Sequence, residues 1–121
     1  MRIAGKWRIA AMDLSEQEAI DLVDPAFIEF SEGRSGQFRF IAVDGWMDCL
    51  HNERNGRPYV EFTWDGNDEC DPASGRGWAK LQKDGSLRGR IYIHGGDDSG
   101  FKAIRFEEDT TSVEAAIRRK L

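Results

Sequence analysis

The sequence predicts an all-β protein: an eight-stranded up-and-down antiparallel barrel, with a short helix after the first strand and a helix at the C-terminus. Three observations predict it. About eight short segments alternate apolar and polar residues, most clearly over 38–43, 60–64, 87–94 and 101–106. Nearly all are separated by Gly-containing turn signals, at the roughly 8–12-residue spacing of antiparallel barrels and sandwiches. Helical periodicity is confined to two stretches, 14–23 and 110–121.

The elements follow in order. The first strand covers 5–12, with Trp7, Ile9 and Ala11 on one face and Lys6 and Arg8 on the other. Leu14, Ala19, Ile20 and Val23 then fit a short helix, with Asp13 as N-cap and Pro25 as its stop. Strands at 27–31 and 37–43 come next. Asp44-Gly45 is a hairpin signal leading into a strand at 46–53, and Asn55-Gly56 leads into another at 59–65. A polar loop spans 66–75. A strand at 76–82 turns at Asp84-Gly85 into one at 86–94, and Gly95-Gly96-Asp97-Asp98 leads to the last, at 99–107. Thr111 and Glu114 form a capping box for the C-terminal helix, whose end carries Arg118, Arg119 and Lys120 to complement its dipole. Residues 1–109 are thus read as the barrel, and residues 110–121 as a helix packed on the same domain. Closure removes the exposed sheet edges that a chain this rich in strands would otherwise present.

Composition sets bounds on function. A chain of 121 residues fits one domain, and 7 Phe with 4 Trp can fill a small core. The net charge of −5 argues against nucleic acid and anionic membrane, which need a concentrated basic surface. The start, Met-Arg-Ile-Ala-Gly-Lys-Trp, lacks the apolar run of a signal peptide, so a cytoplasmic protein is expected. Cys49 and Cys70 read as free thiols and lack zinc-knuckle spacing.

Gly5-Lys6-Trp7 on the first strand and Arg105 near the end of the last resemble the calycin superfamily, the lipocalins and their small bacterial relatives. In that superfamily a Gly-x-Trp opens the barrel and a late Arg packs across the Trp. The resemblance therefore implies a cation–π contact between Arg105 and Trp7 at the closed end. It also implies an open mouth at the other end. Phe62-Thr63-Trp64-Asp65-Gly66-Asn67-Asp68-Glu69, Gly75-Arg76-Gly77 and Gly96-Asp97-Asp98-Ser99 are similar to an uncharacterised bacterial protein family, a likeness that implies no activity.

In a meander, alternate connections share an end. One end then collects Asp13, Glu16, Glu18, Asp21, Asp24, Asp44, Asp68, Glu69, Asp71, Asp97 and Asp98. The other collects Arg34, Arg54, Arg57 and Lys83. The acidic end reads either as a site for a cation or a ligand with a positive end, or as a set of turn-forming residues bonded to local amides. Asp65, Asn67, Glu69 and Asp71 alternate like oxygen ligands. The Gly and Glu of a calcium loop are replaced by Cys70 and Arg76, and no metal or cofactor is predicted. His94 stands near Asp97 and Asp98 but has no nucleophile motif beside it.

The expected function is a non-enzymatic barrel that binds a small, partly apolar or cationic molecule near the acidic rim. Trp64, Arg76, His94 and Asp98 would make the rim contacts, and Phe38, Phe40 and Phe62 the walls. The alternative is an interaction module with a solid core, whose outer aromatics or acidic rim contact a basic partner. The interior discriminates them: a connected cavity supports the first, a filled core the second. Trp46 and Trp78, if exposed, mark a contact surface.

Overall fold

The computed structural model describes residues 2–13, 21 and 25–106. Eight antiparallel strands form one closed meander barrel. They are β1 (Gly5–Met12), β2 (Phe27–Phe30), β3 (Ser35–Phe40), β4 (Val43–Arg54), β5 (Arg57–Asp68), β6 (Asp71–Leu81), β7 (Leu87–Ile93) and β8 (Asp98–Arg105). β8 closes on β1 through Trp7 opposite Arg105. Among the described residues there is no helix. Apart from Asp21, the expected helices at 14–23 and 110–121 lie outside those residues, as does the Thr111–Glu114 capping box.

Alternation determines which side chains enter the lumen. Along β5, Val60, Phe62 and Trp64 point in and are buried, while Glu61, Thr63 and Asp65 point out and are exposed. β1 departs from this rule. Its pairing with β8 shifts register between Ile9 and Ala11, so Ala11 turns outward and Met12 takes the inward place. The expectation that Ala11 shares the face of Trp7 and Ile9 fails because a β-bulge inserts one residue and reverses the parity.

Two expected turns are strand instead. Asp44-Gly45 lies inside β4, paired with Arg39 and Phe38, and the β3–β4 turn falls at Ile41-Ala42, where Ile41 has a φ of 55°. Gly45 is needed for space: a Cβ there would stand 2.4 Å from the Phe38 ring. The expected loop at 66–75 is a hairpin in which residues 65–68 of β5 pair with 71–74 of β6. Its turn is Glu69-Cys70, both with positive φ, 55° and 88°. Pro72 is accommodated because β7 pairs with β6 only from Gly75 onward, so no ladder donor is missing.

The lumen is occupied by aromatic rings. Phe38 stacks on Phe40 at 5.6 Å, meets Trp64 edge-on at 5.0 Å and tilts against Phe62 at 6.5 Å; Phe30 reaches Phe62 at 6.3 Å. Ile9, Ile28, Val60, Leu87 and Ile91 fill the space around them and are fully buried. Offset and edge-to-face contacts of this kind add stability beyond the burial of area.

The floor is closed by Trp7. Its Nε1 donates to the Ile3 carbonyl at 2.9 Å, and the Arg105 guanidinium lies 4.0 Å over its ring. Arg105 also donates to the carbonyls of Ala4 and Arg2. The contact implied by the Gly-x-Trp and late-Arg resemblance is therefore present.

Candidate functional site

The meander parity brings the β1–β2, β3–β4, β5–β6 and β7–β8 connections to one end. Asp44, Asp68, Asp71, Asp97 and Asp98 share that end, but not as a uniform acidic ring. Arg39 pairs with Asp44 at 2.5 Å. Arg90 pairs with Asp98 at 2.6 Å and reaches Asp13 at 3.5 Å. Arg8 holds Asp21 at 2.7 Å, and the same carboxylate accepts the Ala26 amide. At this end the carboxylates with no ion pair among the described residues are Asp65, Asp68, Glu69, Asp71 and Asp97. No group of three His, Cys, Asp or Glu among the described residues converges as metal ligands would.

The seven residues expected to form a ligand site fall into separate places. Phe38, Phe40, Phe62 and Trp64 lie together in the lumen, each at most 3% exposed, packed on one another. Arg76 is on the outer face of β6, its guanidinium 4.5 Å over the Tyr92 ring. Asp98 begins β8 on the outer face and is bound to Arg90. The His94 side chain is exposed at the β7–β8 turn, and its backbone amide donates to the Ser74 carbonyl at 2.7 Å. The three walls are thus packed in the lumen, with Phe62 also bordering an outer groove beside Arg76, while three of the four expected rim residues, Trp64, Arg76 and His94, line one outer groove that Asp98 does not border. Trp64 joins the lumen to the outer sheet: its Nε1 crosses β6 at Gly75 to donate to the Tyr92 carbonyl at 3.1 Å.

The grooves lie outside. One, of about 390 Å³, runs over the outer faces of β4 to β7 and is lined by Leu50, Tyr59, Thr63, Arg76, Trp78 and Tyr92, among others. A second, of about 580 Å³, adjoins it through Thr63, Arg76 and Tyr92 and extends toward His94. A third, of about 340 Å³, lies beside Trp46, between Glu29 and Gln37. Tyr59, Leu50 and Tyr92 were not singled out from sequence. The signal was present in the parity of β6: with Gly77 and Ala79 facing in, Trp78 must face out, and Tyr59 and Tyr92 belong to the same outward set.

Both cysteines are free, Cys49 buried and Cys70 exposed. Burial among apolar neighbours, aided by Asp48 and opposed by Arg34, pushes the Cys49 thiol up to about 11. A thiol kept neutral in this way is a poor nucleophile. On the outer face, Arg34 and Asp48 form a two-bonded pair at 3.0 Å, which raises the Arg34 pKa above its ordinary value.

Comparison with models of known protein families found no match, and neither did comparison with curated proteins. The class is defined by architecture: a closed eight-stranded antiparallel meander barrel, compatible with a calycin-like fold.

Proposed function

We propose that this protein is a non-enzymatic interaction module, a solid barrel that recognises a basic partner on its outer surface. The observation that carries this reading is Trp46. It is 57% exposed on the outward face of β4, more than any other large hydrophobic side chain among the described residues. Asp65 stands directly across from it on β5 and has no ion pair among the described residues. An ammonium or guanidinium group laid on an indole gains about 0.5–2 kcal/mol, the more so as it is desolvated. Directly opposed strand residues have Cβ atoms roughly 5 Å apart, so a cation on the ring also reaches the carboxylate. Asp68, Glu69, Asp71 and Asp97 at the same end extend the negative field and favour the approach of a basic partner.

The test is a titration of the protein with an arginine-rich peptide, four Gly-Arg repeats, followed by Trp fluorescence. The expected result is saturable quenching that weakens as salt rises. Trp46→Ala should remove the quenching and weaken binding about tenfold, and Asp65→Asn should weaken it less. An equal-length peptide with Glu in place of Arg should not bind. Binding unchanged in Trp46→Ala contradicts the proposal.

The small-molecule reading has the outer grooves in its favour, that of about 390 Å³ over β4 to β7 and the adjoining one of about 580 Å³ bordered by Trp64, Arg76 and His94. It moves the ligand from the lumen to the outer face.

A further inference from the structure

We infer that the outer groove over β4 to β7 is a separate site for a small aromatic carboxylate. This goes beyond the recognition of a basic partner, because it concerns a different surface and the opposite ligand charge. Three features of the groove carry it.

The first is a fixed aromatic platform. The Trp78 ring stacks on Tyr59 at 6.1 Å and 24°, and Arg54 covers Tyr59 in turn at 4.3 Å. Trp78 is therefore held from behind and presents its indole to the groove. A flat apolar ring gains both buried area and an offset stacking contact there.

The second is the charge balance of the lining. Arg34 and Asp48 are closed on each other. Glu61, opposite Trp78 on β5, has Arg54 as its counterion at 3.9 Å. Arg76 is the charged residue of the lining that has no carboxylate partner among the described residues. Its guanidinium instead lies over the Tyr92 ring, 4.5 Å from the centroid, a contact that holds the group in place and leaves its N–H donors for a ligand. Thr63, directly across from Arg76 on β5, adds a hydroxyl.

The third is spacing and size. Arg76 and Trp78 are two residues apart on β6, on the same face, so their Cα atoms stand roughly 7 Å apart. That span fits a ring lying on the indole with a carboxylate directed at the guanidinium. A volume of about 390 Å³ is within the roughly 300–1,000 Å³ of small-ligand sites, which pair apolar walls with a few placed polar groups. A cation in the same place would meet Arg76, and a neutral amide would forgo the ion pair and its two-bonded fork.

The experiment uses the full chain and three probes of one shape: 2-naphthoate, 2-naphthamide and 2-naphthylmethylammonium. Binding is followed by amide chemical shifts and calorimetry at pH 7. Naphthoate should shift Thr63, Arg76 and Trp78 and bind about tenfold more tightly than the amide, with the ammonium weakest. Arg76→Gln should erase the preference for naphthoate, weakening naphthoate about tenfold more than it weakens the amide. Arg76→Lys should restore part of that preference, and Trp78→Ala should weaken all three probes. Equal affinity for naphthoate and amide, preference for the ammonium, shifts confined to other residues, or no binding at millimolar probe would each overturn the inference. None of these outcomes bears on Trp46 and the arginine peptide.

Discussion

Replacing Gly75 with Ala tests how the lumen is joined to the outer sheet. A Cβ at Gly75 would stand 1.8 Å from the Tyr92 carbonyl oxygen and 2.8 Å from Trp64 Nε1, inside the hydrogen bond those two atoms make. The first obstacle is backbone of the neighbouring strand, so no rotamer change relieves it. β6 must move away from β7, an overpacking cost of about 1–3 kcal/mol. Trp64 is 3% exposed, and its indole N–H would lose its acceptor, at about 1–3 kcal/mol. Restriction of the unfolded chain by Ala offsets about 0.4–1 kcal/mol. The net loss should be near 3 kcal/mol, which for a chain of this size lowers Tm by roughly 10 °C. Urea denaturation of both proteins measures it, and the Trp64 indole proton resonance reports the bond itself. In a Trp64→Phe background the Gly75→Ala cost should shrink, because the N–H is already gone. A loss below about 0.5 kcal/mol with an unchanged indole resonance would refute the reasoning.

Other expectations are independent of it. Trp7→Ala should cost about 3–5 kcal/mol in urea denaturation, because it empties the fully buried floor beneath Arg105. Iodoacetamide should modify the exposed Cys70 promptly in the native protein and reach Cys49 only in denaturant, as peptide mass mapping would record. The Cys49 thiol titrates near 11 in the fold against an ordinary 9.0, so its stabilising contribution is complete below about pH 9. It is then lost as pH rises through 11. Stability should therefore fall more steeply over that window in the wild type than in Cys49→Ala.

What the sequence made legible depended on how locally each feature is encoded. The bounds of β1, the parity of the connections and the Trp7–Arg105 contact follow from alternation and a short motif. Turn positions were less legible, because two of them use residues that carry no turn signal. Ile41, Glu69 and Cys70 adopt positive φ, a conformation that sequence reading assigns to Gly, Asn or Asp. The Asp44-Gly45 and Gly66-to-Gly75 signals instead mark close approaches: the Phe38 ring over Gly45, and the Trp64 indole crossing Gly75. Those approaches depend on tertiary packing, which a linear pattern does not record. The candidate site was less legible still. Phe38, Phe40 and Phe62 were recognised as walls, yet whether inward rings line a cavity or fill it depends on volume, not on parity. Ion pairs such as Arg39–Asp44 and Arg90–Asp98 joined residues that counting by end had treated as free rim charges.

The central claim is that recognition takes place on the outside of a filled barrel. The most direct measurement is a residue-by-residue map of amide and aromatic chemical shifts as the arginine-rich peptide is added. The account predicts shifts at Trp46 and Asp65 and at their neighbours Gln37 and Ser74, with Phe38, Phe62 and Ile91 unmoved. Shifts concentrated on the lumen residues, with Trp46 unaffected, would contradict it.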